Sequence, residues 1–247
     1  VNHFSENMVI TNVDRGEYIP FKQDYYGSGS VVAGFAKLGG RRVALIGPRS
    51  EDGLRACAAV IRARDVLRTA SRMKIHPVLV LGKRWHQDAE IYDESGIRAR
   101  IDFVNTLKDH PGVRIGILTD IRGFHSLEIV SHCDVIIFVR SSERDAVENA
   151  FIEKNATFIV GSLDEAFDCA ARVIDLVDPV EKKERPAGGS PVVPDEAGSP
   201  YDMMESVIKK IADGGEFLEF FAAQNLTKTK SNFITGLARI GGETVGV

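Results

Sequence analysis

The sequence predicts an α/β fold with a mostly parallel sheet, and three observations support this class. Short apolar runs alternate with stretches of helical spacing, which is typical of parallel strands that are covered by helices. A Gly-Gly pair between two β-branched runs indicates a hairpin, and this pattern occurs twice. The content of 44% hydrophobic and 27% charged residues is that of an ordinary globular protein.

The predicted strands are short and mostly apolar. The first two flank Gly39-Gly40, which permits the positive φ angles of a tight turn. The later strands are continuous apolar runs, as expected where both faces of a sheet are covered. We place strands at residues 31–38, 42–47, 77–81, 113–118, 135–139 and 157–160.

Three longer helices are predicted between and after these strands. The first begins near Ser50, and the second covers residues 89–109. The third covers residues 163–177, where apolar side chains recur at three- and four-residue steps. Ser162 and Glu165 precede and open this helix with the spacing of a capping box.

Composition and charge exclude several classes of function. The 247 residues include 31 basic and 35 acidic side chains, so a net charge of −4 does not favour nucleic-acid binding. No apolar run approaches the roughly 20 residues that span a bilayer, and no signal peptide is visible. The odd number of cysteines, at Cys57, Cys133 and Cys169, fits reduced thiols. We therefore expect a cytoplasmic protein that binds neither nucleic acid nor membrane.

A change of composition divides the chain. Residues 179–200 hold five of the nine prolines and few apolar side chains, so we predict a linker there. It separates a first domain at residues 1–178 from residues 201–247. We expect the latter to be the truncated start of a second domain.

The start of the second domain repeats the start of the first. Residues 31–46 read VVAGFAKLGGRRVALI, and residues 233–247 read FITGLARIGGETVGV. Placing Gly34 on Gly236 aligns the two Gly-Gly pairs. The repeat predicts one whole unit and the opening of another, because a single hairpin cannot bury a core. The similarity continues upstream, between residues 16–21 and residues 215–220.

Four motifs carry a resemblance to a known family. They are Pro200-Tyr201-Asp202-Met203, Gly215-Glu216-Phe217-Leu218-Glu219, Thr235-Gly236-Leu237-Ala238-Arg239 and Gly241-Gly242-Glu243-Thr244-Val245-Gly246. In this order they resemble the junction between the two halves of the carboxyltransferase (β) subunit of biotin-dependent acyl-CoA carboxylases. Residues 16–177 resemble the first half in the order of their elements. The resemblance implies a crotonase-like (ClpP/crotonase) spiral of ββα units, with one full domain and the opening hairpin of a second.

The resemblance also implies where a catalytic site would lie. In this family, glycine-rich backbone at two strand ends donates N–H groups to the oxyanion of the acyl-CoA thioester. Here Gly82, after the strand at 77–81, and Gly123, after the strand at 113–118, are the candidate donors. Bulky side chains such as Trp85 stand where the family has small residues. Whether this oxyanion hole is kept therefore stays open.

Basic residues suggest a second contact with the substrate. Arg41, Arg42 and Arg62 lie in the first hairpin and the first helix, where they are candidates to bind the phosphates of coenzyme A. The alternative interpretation is a solvated surface. No metal site is predicted, because His132, Cys133 and His125 lack a second pair of ligands at a suitable spacing.

The implied function is part of a carboxyltransferase component of an acyl-CoA carboxylase, or of a related biotin-dependent decarboxylase. Such a component binds acyl-CoA and stabilises its enolate by backbone oxyanion holes, without a covalently bound cofactor. The implied partners are acyl-CoA, further copies of the chain, and a biotin carboxyl carrier or biotin carboxylase subunit that presents carboxybiotin. The alternative is a catalytically inert crotonase-like half-domain that forms assemblies. For a carboxyltransferase we expect the second oxyanion hole to lie beyond Val247, and both interpretations predict self-association.

Overall fold

The structure is a computed structural model and describes most of the predicted elements. Its described residues are 9–14, 17–21, 31–48, 57–82, 94–119, 128–140, 154–178, 207–222 and 234–247. The chain divides into two compact units, Val1–Arg172 and Val173–Val247. The linker that we predict at residues 179–200 lies outside the described residues.

Within the described residues, the first unit contains one sheet of seven strands. They are β1 (Ile19–Pro20), β2 (Val31–Leu38), β3 (Arg41–Pro48), β4 (His76–Leu81), β5 (Ile115–Leu118), β6 (Val135–Val139) and β7 (Phe158–Val160). Their order in the sheet is their order in the chain. The pairs from β1 to β3 are antiparallel, and every pair from β3 to β7 is parallel. The predicted α/β class with a mostly parallel sheet is confirmed.

Three helices accompany the sheet. They are α1 (Cys57–Met73), α2 (Glu94–Lys108) and α3 (Leu163–Val177), and the boundary between the units falls within α3. The predicted start of the first helix at Ser50 lies outside the described residues. No helix in the described part of the chain has both the length and the apolar character that crossing a membrane requires.

The predicted cap of α3 is confirmed in a modified form. The Glu165 N–H donates to Oγ of Ser162 at 3.2 Å, as a capping box requires. The return bond goes one residue further back, because the Gly161 N–H donates to Oε2 of Glu165 at 2.7 Å. Together these bonds fix the turn between β7 and α3.

The hydrophobic core of the first unit lies between the sheet and helices α1 and α2. The buried face of α1 is rich in alanine, which lets the helix axis approach the sheet closely. Larger side chains of α2 and of the strands fill the remaining space. The core includes Ala59, Ala63, Leu67 and Ala70 of α1, Phe103 and Leu107 of α2, and Ile46, Leu79, Leu81 and Leu118 of the sheet.

The second unit contains an antiparallel sheet of three strands in its described residues. They are β8 (Phe217–Phe220), β9 (Thr235–Ile240) and β10 (Glu243–Gly246), and a short helix α4 (Lys209–Ile211) and a turn at Asp213–Gly215 precede them. An ion pair of 3.6 Å joins Arg239 of β9 to Asp175 of α3 within this unit.

The two units open with the same arrangement of three strands, which confirms the predicted repeat. Pro20 faces Gly34 across β1 and β2, as Glu219 faces Gly236 across β8 and β9. The two Gly-Gly turns have nearly equal φ angles, 58° and 78° in the first copy and 62° and 80° in the second. Positive φ at two successive residues is the geometry that selects glycine in a tight hairpin.

An aspartate closes the turn in each copy, and the sequence analysis missed it. The carboxylate of Asp14 accepts the two N–H groups of Gly39-Gly40, at 3.1 and 2.8 Å. The carboxylate of Asp213 accepts those of Gly241-Gly242, at 3.0 and 2.6 Å. The repeat therefore extends to a carboxylate that holds the turn from outside the hairpin.

The predicted start of the strand at 113–118 is wrong, since β5 begins at Ile115. The backbone N–H groups of the two residues before it donate to side chains instead of to backbone carbonyl groups. The Val113 N–H donates to Nδ1 of His76 at 2.9 Å, and the Arg114 N–H donates to Oδ2 of Asp134 at 2.9 Å. The local apolar pattern cannot show that side chains replace backbone acceptors here, because both acceptors are distant in sequence.

Candidate functional site

The candidate site lies at the carboxyl edge of the sheet, which we define as the end where the parallel strands β4 to β7 finish. Gly82 directly follows β4, and Thr119 directly follows β5. Leu81 faces Leu118 in the register of these strands, so Gly82 and Thr119 are neighbours. Open α/β sheets bind ligands at this edge. The segments at 83–93, 120–127 and 141–153, which follow β4, β5 and β6, lie outside the described residues.

Thr119 bonds to the residue directly before Gly82. The Thr119 N–H donates to the carbonyl oxygen of Leu81 at 2.8 Å, and the Thr119 hydroxyl donates to the same oxygen at 3.1 Å. A Cβ placed on Gly82 would lie 3.1 Å from the Thr119 Oγ1. This separation is tighter than ordinary van der Waals contact, so the hydroxyl and a side chain at position 82 compete for one space.

The other predicted oxyanion donor, Gly123, lies outside the described residues. The structure therefore describes Gly82 alone of the two candidates. The sequence analysis did not select Thr119. The available signal was its position, since it is the first polar residue after the apolar run that forms β5.

Arg41 and Arg42 lie at the opposite end of the sheet from Gly82. Ile46 of β3 faces Leu79 of β4. In this register Gly82 lies seven residues further toward the carboxyl edge than Arg42. At about 3.3 Å per residue, the two positions are roughly 23 Å apart along the strands. Arg42 is exposed.

Arg62 is buried in α1, with only 5% of the residue exposed. Its Nε donates to the carbonyl oxygen of Phe21 at 2.7 Å, and its guanidinium also donates to the carbonyl oxygen of Ala33 at 3.4 Å. These bonds tie α1 to β2 and to the residue after β1. They give Arg62 a structural role, and its contact with coenzyme A stays a prediction.

A polar cluster lies at the amino edge, which is the opposite end of the same strands. Nδ1 of His110 accepts the Gly112 N–H at 3.0 Å. Nε of Arg114 donates to Asp134 at 2.8 Å, and a second Arg114 nitrogen forms an ion pair with the same carboxylate. Arg114 also donates to the carbonyl oxygen of Lys108 at 2.6 Å, at the end of α2. The cluster joins α2, β5 and β6.

The electrostatics of this cluster indicate a structural role. Burial lowers the pKa of His110. Burial would raise the pKa of Asp134, but the side-chain and backbone hydrogen bonds from Arg114 outweigh it and lower that pKa. Burial raises the pKa of Cys133 to about 12, which keeps this thiol protonated and unreactive at neutral pH.

The residues that the structure describes include no group of three or more His, Cys, Asp and Glu side chains that would hold a metal ion. Of the sequence candidates, His125 is outside the described residues, and His132 and Cys133 do not belong to such a group.

Comparison with known proteins identifies the family that this arrangement resembles. Residues 154–247 match the family model of the carboxyl transferase domain. Transcarboxylase 12S, a hexamer solved with hydrolyzed methylmalonyl-CoA bound, matches 98% of this chain with a TM-score of 0.73 and 16% identity. The chain shares the fold of this transcarboxylase. The resemblance to carboxyltransferase β subunits that the motifs carry is thereby confirmed.

Two further carboxyltransferase structures agree. The β subunit of geranyl-CoA carboxylase from P. aeruginosa matches 98% of this chain and 58% of its own length, with 19% identity and a TM-score of 0.51. A single-chain, multi-domain long-chain acyl-CoA carboxylase matches 96% of this chain and 28% of its own length, with 16% identity and a TM-score of 0.65. No curated protein sequence matches the chain.

The matches cover only part of the related proteins and, for the family model, only part of this chain. The chain spans 55% of the length of transcarboxylase 12S. The family match at 154–247 covers α3 and the whole second unit, including the motifs quoted above. Over the first unit the likeness is one of fold.

Proposed function

We propose that this chain is part of the carboxyltransferase component of an acyl-CoA carboxylase, or of a related biotin-dependent decarboxylase. The match of residues 154–247 to the carboxyl transferase domain carries the proposal. The fold shared with transcarboxylase 12S, which was solved with methylmalonyl-CoA bound, supports an acyl-CoA as the substrate class. The role proposed for these residues is acyl-CoA binding and one of two oxyanion holes.

The proposed chemistry replaces a proton on the α-carbon of the acyl-CoA with a carboxyl group. Loss of the proton places negative charge on the thioester oxygen, which becomes an enolate. Backbone N–H groups at the carboxyl edge, with Gly82 as the described candidate, would donate to this oxygen. A preorganised donor of this kind is worth about 3 kcal/mol. Carboxybiotin on a partner subunit would supply the carboxyl group, and the biotin nitrogen that gives up this group would take the proton lost from the α-carbon.

The proposed binding mode runs along the sheet. The acyl group would lie at the carboxyl edge near Gly82, and Arg41 and Arg42 are candidates for the phosphates of coenzyme A. Of the three arginines, the exposed Arg42 is the most accessible to a phosphate, since Arg62 is buried. The separation of roughly 23 Å along the strands requires an extended ligand. The proposed partners are a biotin carrier or biotin carboxylase subunit and further copies of the chain, and the proposed location is the cytoplasm.

Isothermal titration calorimetry tests the proposal. Acetyl-CoA and propionyl-CoA are expected to bind with a Kd tighter than about 1 mM, which corresponds to roughly −4 kcal/mol. Free coenzyme A should bind more weakly, because it lacks the thioester carbonyl. Binding weaker than this limit for both thioesters would contradict the proposal and favour an inert, assembly-forming half-domain.

Variants locate the binding to the carboxyl edge. Gly82→Val should weaken binding of propionyl-CoA, because the added Cβ lies 3.1 Å from the Thr119 Oγ1 and the rest of the side chain enters the donor site. Gly246→Val is the matched control, since a Cβ on Gly246 meets nothing within 4 Å. Equal affinity of both variants would place the acyl group elsewhere.

A further inference from the structure

The geometry points to Thr119 as a positioning residue, whose hydroxyl fixes the direction of the Gly82 N–H toward the bound thioester. This inference rests on the proposed function, because it takes Gly82 as an oxyanion donor. It adds a residue whose side chain acts through its neighbour.

Thr119 bonds twice to a single oxygen. In a parallel sheet, a backbone N–H from the neighbouring strand is the ordinary partner of a carbonyl group. The Thr119 N–H supplies that bond to the Leu81 oxygen at 2.8 Å. The Thr119 hydroxyl supplies a second bond at 3.1 Å. The second bond comes from a side chain, so substitution can remove it without breaking the ladder.

The Leu81 carbonyl and the Gly82 N–H belong to one planar peptide group. This peptide bond is trans, so the N–H points opposite to the carbonyl. Because both Thr119 donors pull the carbonyl toward β5, the Gly82 N–H is directed away from β5. Two donors restrict rotation of the peptide plane more than one donor does.

This restriction matters at the end of a strand. The Leu81–Gly82 peptide plane turns about ψ of Leu81 and φ of Gly82, and a glycine restricts φ less than any other residue. Oxyanion stabilisation depends on donors that point at the oxygen before charge develops. The hydroxyl therefore supplies an orientation that glycine cannot supply for itself.

The Thr119 hydroxyl limits the space beside Gly82. A Cβ on position 82 would lie 3.1 Å from the Thr119 Oγ1, so the hydroxyl occupies the space beside Gly82. A side chain at position 82 would crowd the Thr119 hydroxyl, and the glycine there leaves room for it.

A selective NMR experiment tests the hydrogen bond directly. The dipeptide Leu-Gly occurs twice in the sequence, at Leu38-Gly39 and Leu81-Gly82. Labelling leucine with ¹³C at the carbonyl and glycine with ¹⁵N therefore leaves two signals in an HNCO spectrum. The ¹³C shift of Leu81 reports the bonds that its oxygen accepts. Leu38-Gly39 is the internal control, because its Gly39 N–H donates to Asp14 and not to any group near Thr119 in sequence.

Two variants of Thr119 separate the hydroxyl from side-chain shape. Thr119→Val keeps the shape and removes the donor, and the Leu81 carbonyl signal should move upfield while the Leu38 signal stays. Thr119→Ser keeps the donor, and the Leu81 signal should stay near its original position. An unchanged Leu81 signal in Thr119→Val, or the same shift in Thr119→Ser, would overturn the inference.

Binding by the full chain tests the function of this bond. Affinity for propionyl-CoA should fall about fivefold in Thr119→Val and return in Thr119→Ser, as expected for loss of one neutral hydrogen bond. Affinity for free coenzyme A should stay unchanged in both, which a general structural defect would not produce. Equal propionyl-CoA affinity of wild type and Thr119→Val overturns the positioning role alone. Failure of the wild type to bind propionyl-CoA overturns the proposed function, and the positioning role with it.

Discussion

Gly34 and Gly236 each allow the backbone of another strand to pass where any other residue would place a side chain. A Cβ on Gly34 would lie 2.3 Å from the carbonyl oxygen of Ile19, and one on Gly236 would lie 2.2 Å from that of Leu218. Contacts this short cannot exist, so a substitution must push the strands apart. The alignment of the two repeats predicted that these glycines correspond. The close approach of the neighbouring backbone became evident only from the pairing of the strands.

Substituting either glycine should therefore destabilise its own sheet. Gly34→Ala and Gly236→Ala should each lower the local free energy of unfolding by about 1–3 kcal/mol, as overpacking does. Native-state hydrogen exchange of the adjacent strands measures this. The control Gly246→Ala should change it by less than about 0.5 kcal/mol, because a Cβ there is unopposed. Equal effects of all three substitutions would contradict the close approach.

His110 is the residue whose environment makes stability depend on pH. Its Nδ1 accepts the Gly112 N–H and must be unprotonated to do so. Its Nε2 is buried and has no hydrogen-bond partner among the described residues. Burial lowers the pKa of His110 below the ordinary value of 6.5.

The sign of the pH dependence follows from this shift. Below about pH 6.5 the unfolded chain binds a proton at this histidine and the folded chain does not, so the free energy of unfolding falls as pH falls. The slope is at most about 1.4 kcal/mol per pH unit. His110→Asn keeps an acceptor near the position of Nδ1 but cannot titrate, so urea unfolding between pH 7 and pH 5 should show a smaller slope. An identical slope would exclude His110 as the cause.

At the scale of elements, the hairpins were predictable and the carboxylates that hold them were not. Gly-Gly between β-branched runs is a local pattern, and it placed β2 and β3 within about one residue. The bonds from Gly39 and Gly40 to Asp14 span 25 and 26 residues. Such pairs depend on how the chain folds back, which local pattern does not contain.

Removing either carboxylate should loosen its own hairpin. Asp14→Ala and Asp213→Ala each leave two turn N–H groups without their charged acceptor, which costs about 1–2 kcal/mol at an exposed site. Amide exchange in the β2–β3 or β9–β10 turn should accelerate about tenfold, with the other hairpin as the internal control. Asp→Asn substitutions keep one acceptor oxygen and should show a smaller effect. Unchanged amide exchange in the alanine variants would show that the turns do not depend on these carboxylates.

Strand boundaries depend on the same kind of distant partner. The type and order of the strands from β4 to β7 followed from their apolar runs. The start of β5 was missed because Val113 and Arg114 donate to side chains of His76 and Asp134. Thr119 was missed as a site residue for a related reason, since its importance lies in a bond to the neighbouring strand.

For the whole molecule, sequence motifs and fold support the same family from different parts of the chain. The family match covers residues 154–247, where the quoted motifs are specific. The first unit shares the fold with carboxyltransferases at identities below 20%. The order of the elements persists at such low identity, because a buried position requires only an apolar side chain. A glycine-rich segment that donates N–H groups requires particular residues, so it is lost more readily.

The proposed contact between the hairpin arginines and coenzyme A predicts an effect on both coenzyme A and its thioesters. The double substitution Arg41→Gln, Arg42→Gln should weaken binding of free coenzyme A about tenfold, through loss of charge-assisted bonds to phosphate. It should weaken binding of propionyl-CoA by the same factor, because the proposed thioester site lies at the other edge of the sheet. Arg98→Gln on α2 is the control, since Arg98 is exposed and paired with Glu94. Calorimetry that gives equal affinities for wild type and the double variant would assign these arginines to a solvated surface.

The most direct test of the proposed acyl site is a titration of the chain with propionyl-CoA, observed in the two Leu-Gly signals. The proposed acyl site lies at the carboxyl edge, so the Gly82 amide signal should shift progressively and saturate with a Kd tighter than about 1 mM. Free coenzyme A at the same concentrations should shift it much less. A Gly82 signal that stays fixed at saturating propionyl-CoA would contradict the proposed site.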